Sequence, residues 1–202
     1  EDPKLAKGIV KRGVVRIVTP GTIIEDTMLE KASNNYLLCI DFEQKKFGIS
    51  SCDISTGEFV TTTVDTIQQV FAEVEKYSPA EIIIPLSLEN AMFIEELKKK
   101  SYLINTHDDR FYVIEKAQRT IQDHFKLQSV DAFGLTHPLN VSSSGALLSY
   151  LKETQMNTLS HLSSIRPYTI SDSMILDAAT QRNLELVKNI KDQTTRGTLF
   201  ET

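Results

Sequence analysis

The sequence NYLLCIDFEQKKFGISSCDISTGEFVTTTV, residues 35–64, decides the fold because it predicts three antiparallel strands in succession. A two-residue turn at Gln44 and Lys45 sets Phe42 opposite Phe47. Because side chains alternate between the two faces of a strand, this register makes one face of the hairpin apolar. The register of the hairpin is therefore predicted from its turn.

The opposite face of the predicted hairpin is also partly apolar, since it carries Leu37, Cys39 and Cys52. Residues 55–57 form a second turn, and residues 58–64 have the β-branched and aromatic character of a third strand. A sheet that is apolar on both faces needs helices on both faces. We therefore look for these helices in the rest of the chain.

The remaining chain alternates between helical and strand patterns. The predicted elements are a helix over 66–77, a strand over 81–85, a helix over 88–100, an edge strand over 102–106, and helices over 112–125, 130–135 and 139–151. Three antiparallel strands followed by helix, strand, helix, strand and further helices is the order of the ribonuclease H-like fold. We predict an α/β domain with a mixed five-stranded sheet and helices on both faces.

Composition is that of a globular domain rather than a disordered or membrane chain. Of 202 residues, 41% are hydrophobic and 24% are charged, and the net charge is -5. An acidic total argues against a dedicated nucleic-acid module, because phosphate binding needs a basic surface. No apolar run approaches the roughly 20 residues that span a bilayer, and no signal peptide opens the chain. We expect a cytoplasmic protein.

The two cysteines are too few for a disulfide framework. In the predicted register Cys39 and Cys52 are diagonal neighbours on one face, at about 7–8 Å between Cα atoms, which is far for a bridge. We interpret both as reduced, buried thiols, and a redox pair is the alternative.

The remaining candidate residues point to structural roles. The histidines, at 107, 124, 137 and 161, lack the spacing of a zinc site, and we expect surface or helix-capping positions. The sequence Ser142-Ser143-Ser144-Gly145 predicts the start of a helix, with hydroxyls available to cap it.

A ribonuclease H-like sheet raises a second hypothesis, a metal-dependent nuclease that uses Asp41, Asp53 and Glu58. In the predicted register Asp41 and Asp53 point to opposite faces of the sheet, so they could share a metal only with a bulge or a different turn. Since a fold alone does not carry a function, this hypothesis ranks second.

The N-terminal stretch is basic, with Lys4, Lys7, Lys11, Arg12 and Arg16. These residues could contact DNA phosphates or could form a solvated lead-in to the domain. The sequence leaves both interpretations open.

Three motifs resemble segments of the MutS family of DNA mismatch-repair ATPases. They are EDPKLAKGIVKRGVVRIVTPGT at residues 1–22, STGEF at 55–59 and LDAATQRNLELVKN at 176–189. Their spacing is also similar to that of the family, so the resemblance covers essentially the whole chain. One departure is Gly13, where the resemblance leads us to expect an acidic residue.

The resemblance implies three regions: a lead-in at 1–22, a connector domain with a ribonuclease H-like fold but without nuclease activity at 23–165, and the start of an all-α lever domain at 166–202. The family's mismatch-reading element lies upstream of such a segment, and its ATP- and magnesium-binding site lies downstream. The resemblance therefore implies no catalytic, cofactor-binding or metal residue here. It implies a non-catalytic connector that relays signals and contacts MutL. The whole protein would also bind mismatched DNA and a second MutS copy.

The start of the lever domain is also predicted by the sequence pattern, independently of the resemblance. An apolar helical stripe is predicted after a cap at Asp172 or Ser173, formed by Leu176, Ala179, Leu184, Leu186, Val187 and Ile190. We expect a chain cut from a longer protein, so that part of this stripe is exposed or packed on a neighbouring copy. The hinge candidates are residues 19–21 and 165–168.

Overall fold

The structure, a computed structural model, describes residues 17–22, 34–155 and 159–170, together with residues 180, 183–185, 189–190, 194 and 198. Within these residues it contains a six-stranded sheet in the order β5-β4-β1-β2-β3-β6. The strands are β1 (Tyr36–Glu43), β2 (Lys46–Asp53), β3 (Glu58–Val64), β4 (Glu81–Pro85), β5 (Ile104–His107) and β6 (Arg166–Pro167). The α-helices are α1 (Ile67–Tyr77), α2 (Met92–Lys99), α3 (Ile114–Phe125) and α4 (Pro138–Gln155).

The β1–β2 hairpin has the register predicted from its turn. Phe42 pairs with Phe47, and their rings lie 4.6 Å apart. Gln44 and Lys45 both have positive φ, at 50° and 68°. This is the conformation of a type I′ turn, whose twist matches that of the flanking strands. The turn therefore fixes which side chains lie on each face.

The sheet is mixed, as predicted, but it has six strands rather than five. The three N-terminal strands are antiparallel neighbours, β4 pairs in parallel with β1, and β5 pairs in parallel with β4 at the edge. The additional strand is β6, which pairs in parallel with β3. It was missed because two residues have no periodicity, and because its proline is tolerated only at positions such as a sheet edge.

Helices cover both faces of the sheet, as predicted. On one face α1 and α2 pack on Leu38, Ile40 and Ile49, and on the other face α3 and α4 pack on Leu37 and Cys39. These sheet residues are fully or almost fully buried. Burial of apolar area on both faces is the main term that stabilises such a three-layer arrangement.

Local signals explain where α1 begins and ends. Thr66 and Gln69 form a capping box, in which each side chain accepts from the other residue's backbone N–H. Ser78 ends the helix in the left-handed conformation, and its N–H donates to the Val74 carbonyl. In α2, the buried residues are Phe93, Ile94 and Leu97, which pack on the same face of the sheet as α1.

Helix α4 differs from its prediction in one respect. Fourteen of its eighteen residues are buried. The three serines at 142–144 lie inside the helix, not at its start, so the prediction that they cap it is wrong. Instead, His137 Nδ1 accepts a hydrogen bond of 3.2 Å from the Leu139 N–H. The serine hydroxyls are therefore free to bond to the sheet.

Glycines let α4 approach its neighbours closely. A Cβ on Gly48 of β2 would lie 2.4 Å from the Leu139 carbonyl oxygen, and one on Gly145 would lie 2.5 Å from Ala117 of α3. Real Cβ contacts are essentially never below 3.0 Å. Both positions therefore require glycine for steric reasons.

Some predictions lie outside the described residues. These include the basic stretch 1–16, the predicted helix cap at 172–173, and Leu176, Ala179, Leu186 and Val187 of the lever stripe. Two other members of that stripe, Leu184 and Ile190, are 55% and 52% exposed, as predicted for part of it. No helix among the described residues is long and apolar enough to cross a membrane.

Candidate functional site

The three acidic residues of the nuclease hypothesis do not converge. Asp41 lies on the face of the sheet that α4 covers, where it accepts hydrogen bonds from Ser142 Oγ and from its neighbour's backbone N–H. Asp53 pairs with Tyr36 and points to the opposite face, as the register predicted. Glu58 pairs with Asp53 at the start of β3.

Each of these carboxylates is already engaged by the protein. Asp53 accepts from the Ser55 N–H at 2.8 Å, and Glu58 accepts from the Tyr36 hydroxyl at 2.6 Å. Burial raises the pKa of Asp41, because the charged form is disfavoured away from water. Over the described part of the chain, no group of three or more His, Cys, Asp or Glu side chains could hold a metal ion. The geometry favours structural roles for all three carboxylates.

The two cysteines are buried free thiols, as predicted. Cys39 Sγ lies 3.7 Å from the Tyr112 hydroxyl. Burial raises the pKa of both thiols far above the usual value, so neither has the thiolate character of a reactive cysteine.

The predicted positions of the histidines are correct for His137, which caps α4, and for His161, which is exposed. The prediction is wrong for His107, which is buried and stacks on Phe111 with ring centroids 4.3 Å apart. Burial lowers the pKa of His107. The predicted edge strand ends at residue 106, whereas β5 continues to His107, so the sequence pattern did not mark this position as buried.

A seam of hydroxyl groups joins α4 to the middle of the sheet. Ser50 Oγ lies 2.7 Å from Ser143 Oγ, 3.0 Å from Ser144 Oγ and 2.9 Å from Thr61 Oγ1. All four residues are buried. Buried hydroxyls need partners, and these satisfy one another across the helix–sheet interface. We call Ser50, Thr61, Ser143 and Ser144 the serine seam.

The two predicted hinges are the remaining candidates for function, and the structure describes both. The first, residues 19–21, lies within residues 17–22, which we call the N-terminal junction. Its Ile17 N–H donates to the Thr154 carbonyl at 2.8 Å, and its Thr22 carbonyl accepts from Gln155 Nε2 at 2.9 Å. Both partners lie in the last turn of α4. This junction is therefore tied to the end of a buried helix.

A buried carboxylate completes the N-terminal junction. Glu81, the first residue of β4, is fully buried and accepts from the Gly21 N–H at 3.1 Å. It also accepts from the Tyr150 hydroxyl and from Asn105 Nδ2. A side chain on Gly21 would crowd Leu37 at 2.9 Å. Glycine at position 21 thus leaves room for the backbone to approach Glu81 without a shift of Leu37.

The second hinge candidate, residues 165–168, is called the C-terminal junction. It forms the edge strand β6, after which the Tyr168 N–H donates to the Thr61 carbonyl at 2.9 Å. The Tyr168 hydroxyl donates to Glu73 and lies 3.3 Å from the Tyr77 hydroxyl, both on α1. Lys76 Nζ sits 4.3 Å from the centre of the Tyr168 ring. Both junctions are therefore anchored to the body of the domain.

Comparison with known families identifies the chain. A profile of the family described as MutS domain II matches residues 35–163. The chain belongs to the MutS domain II family. The matched residues include strands β1 to β5 and helices α1 to α4. The family resemblance read from the three motifs is confirmed.

Full-length relatives align with this chain over nearly all of its residues. The DNA mismatch repair protein MutS of Lachnoclostridium phytofermentans is 42% identical over 203 residues, which is 99% of this chain and 22% of that protein. The proteins of the same name from Alkaliphilus oremlandii and Methanosarcina mazei are 39% and 37% identical, over 99% and 100% of this chain and 24% of each relative. The chain thus spans less than a quarter of the length of these relatives.

Proposed function

We propose that this MutS domain II is a non-catalytic connector in a DNA mismatch repair protein, and that it relays changes between the parts of the protein on either side. The observation that supports the proposal is the anchoring of both junctions. A relay needs a stiff body that moves with the segments at its ends. Glu81 and Tyr168 supply such attachments, because each holds a junction through side-chain hydrogen bonds to the sheet or to α1.

The finer fold assignment is part of the proposal. A meander of three antiparallel strands followed by two parallel strands supports a ribonuclease H-like domain at 23–165. Residues 1–22 are then a lead-in, and residues 166–202 the start of a helical lever domain. The engaged carboxylates of Asp41, Asp53 and Glu58 support a domain of this type without nuclease activity.

Partners of the whole protein are also proposals. The name of the relatives supports a role in repair of mismatched DNA. By family resemblance, the whole protein would bind mismatched DNA and a second MutS copy, use ATP and magnesium, and contact MutL through this domain in the cytoplasm. Residues 4–16 are a candidate DNA contact, which would show as an affinity that falls steeply with salt.

The connector role is tested in the full-length MutS protein that carries this domain. Glu81→Gln and Tyr168→Phe each weaken one junction while leaving the core in place. We expect both variants to lower the stimulation of ATP hydrolysis by mismatched DNA, with basal hydrolysis and affinity for mismatched DNA unchanged. Lys98→Ala, which removes an exposed ion pair on α2, is the control. Undiminished stimulation in both variants would refute the relay.

Two further measurements separate the alternatives. Magnesium titration of this chain, followed by NMR shifts around Asp41, distinguishes the connector from the nuclease, because clustered shifts would favour the metal-dependent enzyme. NMR shift mapping with MutL tests the proposed contact. Absence of any shift at high micromolar MutL would count against a contact made by this chain alone.

A further inference from the structure

The two anchored junctions meet at one point of the sheet. Asn35 and Tyr36 are adjacent at the start of β1. Asn35 contacts the N-terminal junction directly, and Tyr36 contacts Glu58 and Tyr77, which in turn contact the C-terminal junction. We propose that Asn35 and Tyr36 are positioning residues that couple the two junctions, so that release of one junction loosens the other. The use of this coupling in repair rests on the connector function proposed above, but the coupling itself is a property of this chain.

Asn35 holds the N-terminal junction. Its Nδ2 donates to the Pro20 carbonyl at 2.8 Å. Its own backbone N–H donates to Asp53 Oδ2 at 3.3 Å, and the other oxygen of that carboxylate is held by Ser55. The Asn35 backbone is therefore fixed to the end of β2 while its side chain holds residue 20.

Tyr36 reaches the C-terminal junction by two routes. Its hydroxyl donates to one oxygen of Glu58 at 2.6 Å, and the other oxygen pairs with Arg166 of β6 at 3.4 Å. Its ring packs edge-on against Tyr77 at 5.0 Å, and the Tyr77 hydroxyl lies 3.3 Å from that of Tyr168. The aromatic route is the stronger one, because the Arg166 pair is exposed and such pairs contribute little.

The strand geometry explains why these two residues can act together. Successive side chains of an extended chain point to opposite faces. Asn35 therefore serves the junction beside α4, while Tyr36 serves the junction beside α1. The Tyr36 carbonyl also accepts from the Ala80 N–H at 2.9 Å, next to Glu81, which holds Gly21. A displacement of this short stretch thus changes contacts to both junctions.

The protonation state of Tyr36 suits this role. Burial and the hydrogen bond to Glu58 raise the pKa of Tyr36 to about 12. The hydroxyl therefore remains a donor throughout the neutral range.

Hydrogen exchange followed by NMR tests the coupling in this chain. The Gly21 N–H, which donates to Glu81, reports the N-terminal junction, and the Tyr168 N–H, which donates to Thr61, reports the C-terminal junction. Tyr168→Phe is expected to speed exchange at Gly21 by about 2- to 12-fold, the factor that corresponds to one net hydrogen bond. Gly21→Ala is expected to speed exchange at Tyr168 by a similar factor, because coupling is reciprocal.

Two sets of variants assign the effect to the proposed residues. In a background with Tyr36→Leu or Asn35→Ala, the effect of Tyr168→Phe on Gly21 is expected to disappear. Tyr102→Phe is the matched control, since Tyr102 is a half-buried tyrosine on the same face of the sheet. Exchange at the core amides of Ile40 and Ile83 measures global opening, and the effect must exceed any change there.

The outcomes separate this proposal from the connector function. Unchanged exchange at Gly21 in Tyr168→Phe, with faster exchange at residue 168 itself, would overturn the coupling and leave the ATPase test of the connector unaffected. An effect that persists with Tyr36→Leu and Asn35→Ala would overturn the assignment to these residues. Coupling in this chain together with undiminished ATPase stimulation in the full-length protein would refute the connector function alone.

Discussion

Replacing Gly48 with alanine is expected to push α4 away from the sheet. The added Cβ would lie 2.4 Å from the Leu139 carbonyl oxygen and 2.9 Å from the Leu139 Cβ, where contacts below 3.0 Å essentially never occur. The obstacle is the backbone of the helix, so rotation of a side chain cannot relieve it. Either β2 or the first turn of α4 must move.

The cost follows from what that movement disturbs. Overpacking of a well-packed interior costs about 1–3 kcal/mol. The same interface carries the serine seam and the hydrogen bond from Ser142 to Asp41, and each hydrogen bond that is lost adds about 1 kcal/mol. We expect Gly48→Ala to lower the free energy of unfolding by about 2–4 kcal/mol. For a chain of this length the melting temperature would fall by roughly 5–15 °C.

Thermal and urea unfolding, followed by circular dichroism, measure this loss. Gly134→Ala is the matched control, because a Cβ there would lie 3.5 Å from Pro167 and only the positive φ of 73° opposes it. That conformation costs an L-residue about 1–2 kcal/mol. The reasoning fails if Gly48→Ala is as stable as the parent chain, or if it is more stable than Gly134→Ala.

Three other predictions concern buried polar groups. Ser50→Ala is expected to cost about 1–3 kcal/mol in urea unfolding, because it leaves hydroxyls of the serine seam without their shared partner, whereas Ser87→Ala on the surface should change stability by less than about 0.5 kcal/mol. Cys39 and Cys52 are expected to react with a thiol reagent only as the chain unfolds, and to titrate as two free thiols once unfolded without reductant; rapid labelling of the folded chain would contradict their burial. Because burial raises the pKa of Asp41 in the folded state, the folded chain binds this proton more tightly than the unfolded chain, so the contribution of Asp41 to stability falls as pH rises above the usual value of 3.8. Asp41→Asn is therefore expected to gain stability relative to the parent between pH 3.5 and pH 7, and an equal difference at both pH values would contradict this sign.

The hairpin and its faces could be predicted because local chemistry determines them. A two-residue turn fixes the pairing of Phe42 with Phe47, and the period of two then assigns every side chain of β1 and β2 to a face. The same register correctly separated Asp41 from Asp53. Helix α1 could also be predicted from the sequence, since it has both a capping residue and an amphipathic pattern.

The rest of the fold depends on tertiary contacts that no local pattern encodes. Helix α4 is buried almost all round, so its sequence has no polar face to mark its orientation, and its serines resemble a cap. The strand β6 is created only by its pairing with β3. Glu81 is a charged residue at the start of an otherwise apolar strand, and only the fold brings Gly21, Asn105 and Tyr150 to it.

The serine seam has a consequence for how α4 can move. A helix on a purely apolar surface can slide or rotate by small steps, because one apolar contact is easily exchanged for another. Here a shift of one helical turn, about 5.4 Å, would break the contacts of the Ser50 hydroxyl with Ser143 and Ser144 and leave it only Thr61 of the neighbouring strand. The serine seam thus favours the present register of the helix on the sheet over one shifted by a turn. We therefore expect α4 and the sheet to move together as one unit.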